Sequence, residues 1–237
     1  MPIDMERPPL RIVISDPRAG EKIVKVKVVG GDEAELELKP TMIKKKDQER
    51  KELPIALVNP KLVKELSLDE IGVMTLRFRK DEKKINIPFR VIAKEDIPED
   101  TVKINMELLG EAVGELEAEA EAFRAKAWQI AVDEGVAIKL AGYKIKDIIN
   151  GELIGMPGLK FVITGGTDAT GIPMRSDLPG ATRYRLLLSG PPGFLPRERG
   201  ERRRKMVRGK VIPDPRGERR KTALAQLNVA IYYGDKK

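Results

Sequence analysis

The stretch GMPGLKFVITGGTDATGIPMRSDLPGATRYRLLLSG, residues 155–190, decides the fold class. Between its Gly- and Pro-rich turns lie short apolar or β-branched runs, LKFVIT (159–164), IPMR (172–175) and RYRLLL (183–188). Each is too short for an ordinary helix and each is closed by residues that end a strand. Closely spaced short strands joined by tight turns predict a mainly β protein, here a small β-barrel. GGTDATG (165–171) reads as a hairpin turn whose glycines supply positive φ. As a phosphate loop it lacks the strand-to-helix setting and the Lys-Ser/Thr pair.

Upstream, YKIKDI (143–148) adds another strand signal, and the start of the chain adds two more. LRIVIS (10–15) is closed by DPRAG, and Ile23–Val29 alternates apolar residues with Lys25 and Lys27, so the pair predicts a hairpin. The barrel is thus expected in two pieces, residues 1–31 and 141–196. Between them, residues 32–140 hold nineteen basic and twenty-four acidic residues, a net of −5, and read as a separate inserted module. Within it KKKDQERK (44–51) reads as a solvated loop.

The insert contains an internal repeat at an offset of 46: LVNPKLVKEL (57–66) lies over KINMELLGEA (103–112). Each copy reads as a strand, an Asn cap (Asn59 or Asn105) and a short helix. A strand follows each, VMTLRFR (73–79) and ELEAEAEAF (115–123). Two such units related by a pseudo-twofold resemble the double-psi β-barrel of substrate-recognition domains in AAA-type ATPases. Trp128 belongs to an apolar alternation and reads as core.

Downstream of the strands the charge changes abruptly. Residues 197–221 hold twelve Lys or Arg against four acids, an excess of eight that equals the +8 of the whole 237-residue chain. A chain that gathers its positive surplus in one segment is built to meet a concentrated polyanion, most simply RNA. Residues 197–237 are therefore expected to be a basic RNA-binding extension. Its candidate contacts are Arg197, Arg199, Arg202, Arg203, Arg204, Lys205, Arg208, Lys210, Arg216, Arg219, Arg220 and Lys221. Arg175, Arg183 and Arg185 would carry the basic face across the barrel. Phe194, in SGPPGFLP, would either stack on a base or plug the barrel end.

The chain has no Cys and no His, which excludes disulfides, thiolate nucleophiles, Cys/His zinc sites and Ser-His-Asp triads. Carboxylates that could hold a divalent cation are Asp168 with Asp177, and the alternating Glu115, Glu117, Glu119 and Glu121. The glutamates read as the wet side of a strand, so neither a metal, a cofactor nor a catalytic residue is expected. No stretch has the length and apolarity of a membrane span, and the N-terminal residues lack a signal-peptide pattern, so a cytoplasmic protein is expected. Its 35% charged residues suit a heat-adapted protein.

Five motifs occur in order: ISDP (14–17), GMPG (155–158), TGGTD (164–168), GIPMR (171–175) and RRRK (202–205). With their flanks, LRIVISDP (10–17), residues 148–177 and residues 186–209, they resemble small-subunit ribosomal protein six of the eukaryotic type. The insert resembles the enlarged form seen in some archaea. The resemblance implies a non-enzymatic structural constituent of the small ribosomal subunit, bound to ribosomal RNA and neighbouring ribosomal proteins, with no membrane and no small-molecule substrate. Two departures limit it. After Gly209 the chain reads GKVIPDPRGERRK instead of the family's segment, and Lys237 arrives without the long basic helix and phosphoserines of eukaryotic members. The alternative is an RNA-associated adaptor whose inserted module docks a protein partner through its acidic strand.

Overall fold

Alternation sets the strands, and Asn caps set two of the helices. A computed structural model describes residues 10–20, 22–37, 52–80, 83–217 and 223–234. Its strands are β1 (Leu10–Ser15), β2 (Ile23–Gly31), β3 (Ile55–Val58), β4 (Val73–Lys80), β5 (Lys83–Ala93), β6 (Thr101–Asn105) and β7 (Glu117–Arg124), followed by β8 (Ala127–Val132), β9 (Ile148–Asn150), β10 (Lys160–Asp168), β11 (Arg183–Leu188), β12 (Arg203–Arg208) and β13 (Leu224–Ile231). Three short helices interrupt them: α1 (Pro60–Glu65), α2 (Met106–Ala112) and α3 (Glu134–Leu140). The protein is mainly β, as expected. The chain divides into two compact units, one of Asp16–Ile130 and one of Met1–Ser15 with Ala131–Lys237.

The first unit is a closed six-stranded barrel in the order β2-β6-β3-β5-β4-β7. Its pairing is symmetric if β2, β3 and β4 are exchanged with β5, β6 and β7. Parallel β2/β6 then matches parallel β5/β3, and antiparallel β2/β7 matches β5/β4. The repeat seen in the sequence is therefore the repeat of the barrel. Its interior is filled by Val26, Val28, Leu76, Phe78, Phe89 and Ile104 among others, each worth roughly 1.5–3 kcal/mol when fully buried. Both caps form as read: the Asn59 carbonyl oxygen accepts from the Lys61 N–H, and that of Asn105 accepts from the N–H groups of Glu107 and Leu108.

The second unit holds a five-stranded sheet, β8-β1-β13-β10-β9, and a separate two-stranded ribbon, β11-β12. In β1 and β13 alternate residues, Leu10, Ile12 and Ile14 against Leu227, Val229 and Ile231, are buried, so one face of each strand is core.

Four expectations change. The outer pieces, expected to form a small barrel, form this five-stranded sheet and ribbon, and the closed barrel is the inserted unit. β1 and β2 form no hairpin: β1 runs parallel to β13, from Arg11 opposite Gln226 to Ser15 opposite Ala230, whereas β2 lies between β6 and β7. Lys25 and Lys27 of β2 stand opposite Glu121 and Glu119 of β7, a cross-strand charge match that a β1 partner could not supply. The compact inner unit accordingly spans 16–130 instead of 32–140, since β2 belongs to the barrel and α3, with Ala137 and Leu140 buried, to the outer unit. The C-terminal residues are also more than an extension, because β13 is the middle strand of the sheet. The 44–51 segment lies outside the described residues.

Candidate nucleic-acid interface

The basic run becomes a strand. β12 pairs antiparallel with β11 in the register Arg183 to Arg208, Arg185 to Met206 and Leu187 to Arg204 on one face. On the other face Tyr184 stands opposite Val207, Leu186 opposite Lys205 and Leu188 opposite Arg203. The apolar part of this second face is covered, with Leu188, Val207 and Phe194 buried together and Leu178, Tyr184 and Leu186 against them, while Arg203 and Lys205 remain exposed. Phe194 thus closes the apolar side of the ribbon. Gly193 permits this seat, since its φ is +104° and a Cβ there would come within 2.8 Å of Val207.

The root of the ribbon is fixed by Asp168, at the end of β10. One carboxylate oxygen accepts from the Thr170 and Ile172 N–H groups and from the Thr170 hydroxyl, at 2.7–3.0 Å. The other accepts from Arg183 Nε at 2.9 Å and from its terminal nitrogen, with Arg208 Nη1 at 3.8 Å. Asp168 is 3% exposed and Arg208 1%. A buried guanidinium needs such a partner, because removing it from water costs several kcal/mol. Arg208 Nε also donates to the Ala181 carbonyl at 3.0 Å. The GIPMR segment runs between them: Met174 N–H donates to Gly166, Arg175 N–H to Arg208, and Arg208 N–H to Pro173. Gly166 and Gly209 have no room for a side chain, with a Cβ falling 2.8 Å from the Gln226 carbonyl oxygen and 2.1 Å from that of Gly180.

Beyond the root the cations face outward. Arg197, Arg199, Arg202, Arg203, Arg204, Lys205 and Arg185 are exposed, and Lys210 is half-buried. Arg185, Arg202, Arg204 and Lys205 make no ion pair among the described residues, whereas Arg203 is bound to Glu201 at 2.8 Å. Glu201 also accepts from the Arg197 N–H at 2.7 Å, and this bond, with Arg203 beside it, lowers its pKa. Arg175 is held by both oxygens of Asp177 at 2.9 Å, which raises the guanidinium and lowers the carboxyl. Arg216 and Asp214 form a similar exposed pair at 2.7 Å. Arg219, Arg220 and Lys221 lie outside the described residues.

Four of the six carboxylates weighed as cation ligands are engaged with basic groups. Asp168 and Asp177 hold arginines, Glu117 binds Lys27 at 2.6 Å, and Glu121 binds both Arg77 and Arg79. Among the described residues no group of three or more acids is placed to hold a metal. Trp128 is buried, 3% exposed, as core. Sequence reading missed the anchoring role of Asp168; its signal was that it is the lone acid between Glu152 and Asp177.

Residues 120–237 match the model of the family described as ribosomal protein S6e. Small ribosomal subunit protein eS6 of Aeropyrum pernix is 64% identical over 232 residues, covering 98% of each chain. The chain belongs to the ribosomal protein S6e family. The S6e protein of Hyperthermus butylicus is 43% identical over 231 residues, covering 97% of this chain and 99% of its own. That of Staphylothermus marinus is 41% identical over 227, covering 94% and 98%. S6e relatives of this kind therefore carry the barrel sequence as well, although the family model begins at residue 120. Among solved structures, a computationally designed protein matches 44% of this chain over its own full length, with 11% identity and a TM-score of 0.31. No helix among the described residues is long and apolar enough to cross a membrane.

Proposed function

We propose that this protein is a structural constituent of the small ribosomal subunit that binds ribosomal RNA through the β11–β12 ribbon and the arginine-rich loop leading into it. The supporting observation is the set of exposed cations without acidic partners among the described residues, Arg185, Arg204 and Lys205 on a ribbon whose root is clamped by buried Asp168, and Arg202 just before it. Clamping matters because a preorganised array loses less conformational freedom on binding than a free tail does. Arg197, Arg199, Arg203 and Lys210 flank this array; Arg216, Arg219, Arg220 and Lys221 would extend it along the backbone of the RNA. Arg175, Arg183 and Arg208 act on the array's geometry, since each is held by a carboxylate of the same unit. The names of the relatives place them in the small subunit, and shared ancestry over the whole chain supports the same placement here. Neighbouring ribosomal proteins are the further partners.

The adaptor reading loses its main support. The acidic strand β7 already faces basic residues of its own barrel, Lys25 and Lys27 on β2 and Arg77 and Arg79 on β4. Filter binding to small-subunit ribosomal RNA across a salt series tests the proposal. Replacing Arg202, Arg204 and Lys205 by Ala is expected to reduce the slope of log affinity against log salt by about 2 to 3, one released counterion equivalent per lost phosphate contact. An unchanged slope removes the ribbon from the interface.

A further inference from the structure

The outward face of the ribbon is not uniformly basic. Its exposed half is a checkerboard of four side chains: Arg185 opposite Met206, and Leu187 opposite Arg204. Leu187 is 57% exposed and Met206 41%, while the apolar residues of the other face are packed under Phe194 and Leu178. The apolar pair is therefore not the remainder of a core. It sits diagonally between two arginines that make no ion pair among the described residues, directly beyond the Arg183–Arg208 row that Asp168 fixes.

Two unmasked arginines select a polyanion, and the Leu–Met pair selects which part of one. The outside of an A-form duplex offers phosphates and 2′-hydroxyls, its deep groove is closed to side chains, and its base faces are stacked away. Such a surface leaves exposed Leu and Met side chains without a partner. An unpaired nucleotide does not: its base presents an apolar face a few ångströms from the phosphates on either side. Diagonal neighbours on a ribbon face are about 7–8 Å apart, near the spacing of successive phosphates, so cation and apolar positions alternate as phosphate and base do. We propose that this face binds unpaired, splayed nucleotides of RNA, with Leu187 and Met206 against the bases and Arg185 and Arg204 on the flanking phosphates. The inference rests on the RNA-binding reading above and deepens it from a polyanion to single-stranded RNA. A peptide occupant would have to supply acids for both arginines and an apolar strip between them; RNA supplies both in every nucleotide.

The test uses the full chain, a stem-loop RNA with an extended unpaired loop, and a blunt duplex of equal nucleotide number, at matched salt. Leu187→Ser with Met206→Ser is expected to weaken stem-loop binding about tenfold, the low end of what losing stacked-base contacts costs, with duplex affinity and the salt slope unchanged. Leu195→Ser, at an exposed loop residue off this face, serves as the control and should change neither. Because both altered side chains are exposed, the variant should melt with the parent, which thermal unfolding checks. Equal loss for both RNAs, or loss for neither, overturns the inference. The RNA reading itself is scored separately by Arg185→Ala with Arg204→Ala, which must lower the salt slope for both probes. If it does while the Ser variant behaves as the parent, RNA binding stands and the splayed-base assignment falls. If small-subunit incorporation depends on Leu187 and Met206 while neither RNA affinity does, the face belongs to a protein neighbour and the assignment is again wrong.

Discussion

Asp168 sits where one carboxylate must answer two guanidinium groups, and most of the ribbon's geometry depends on that answer. Its first oxygen closes a tight turn with Thr170 and Ile172, and its second faces Arg183 and Arg208. Asp168→Asn keeps the turn-closing oxygen and replaces the other with an amide that cannot accept from arginine. Arg183 and the buried Arg208 then lose this carboxylate, and breaking a buried pair costs about 3–5 kcal/mol. The expected result is a loss of that size in the unfolding free energy of the outer unit, read as an earlier midpoint in urea. Asp177→Asn provides the contrast: its carboxylate is exposed and pairs with Arg175 at the surface, so the midpoint should stay where it is. Equal destabilisation by the two variants would mean that burial at Asp168 contributes nothing. This role was hidden in the sequence because TGGTD shows a turn with an acid in it, and only the return of residue 208 to the same point shows what the acid holds.

At the scale of elements, each half of the barrel is organised by one asparagine. The Asn59 carbonyl oxygen caps α1 while its amide donates to the Ile97 carbonyl at 2.6 Å; Asn105 caps α2 and donates to the Leu36 carbonyl at 3.0 Å. Ile97 and Leu36 lie in the segments that follow β5 and β2 and are buried together with Leu57. Each asparagine thus joins helix start to loop, and the pseudo-twofold extends from strand pairing to single hydrogen bonds. Asn59→Ser keeps a capping oxygen and loses the tie to Ile97; Asn59→Ala loses both. The expected order of stability is parent, Ser, Ala, with the Ala variant about 2–3 kcal/mol below the parent, from a cap of about 1 kcal/mol and a buried carbonyl left unpaired. If Ser and Ala are equivalent in chemical denaturation, the cap is idle. These caps were legible because an Asn before a helix start is a local signal. The β1–β2 hairpin was misread for the opposite reason: a turn-like DPRAG between two apolar runs is local, while the neighbours of β1 in the sheet, β8 and β13, lie more than a hundred and more than two hundred residues away. β13 itself was overlooked beside the charge run, although Leu227, Val229 and Ile231 alternate as a half-buried strand should.

For the whole molecule, charge and compactness divide along the same line. The outer unit, residues 1–15 and 131–237, carries 23 basic and 13 acidic residues, a net of +10, and the inner unit carries 22 and 24, a net of −2. The barrel's charges are matched strand against strand, so it adds little field of its own, and the salt dependence of RNA binding should reside in the outer unit. A deletion can separate the two if it is cut where the chain allows. The Asp16 N–H donates to the Lys126 carbonyl at 2.9 Å, so removal of residues 17–125 leaves two ends that a Gly-Gly turn can join, with β1 and β8 kept whole. That variant is expected to fold and to bind small-subunit ribosomal RNA with the parent's salt slope. Cutting at 32–140, as charge alone suggests, would strip α3 and the end of β8 from the outer unit and leave β2 without β6 and β7, and it should yield an insoluble or unfolded chain. A folded 17–125 deletion whose salt slope drops sharply would instead put RNA contacts on the barrel, and the matched charges of β2, β4 and β7 would then have to open toward the RNA on binding.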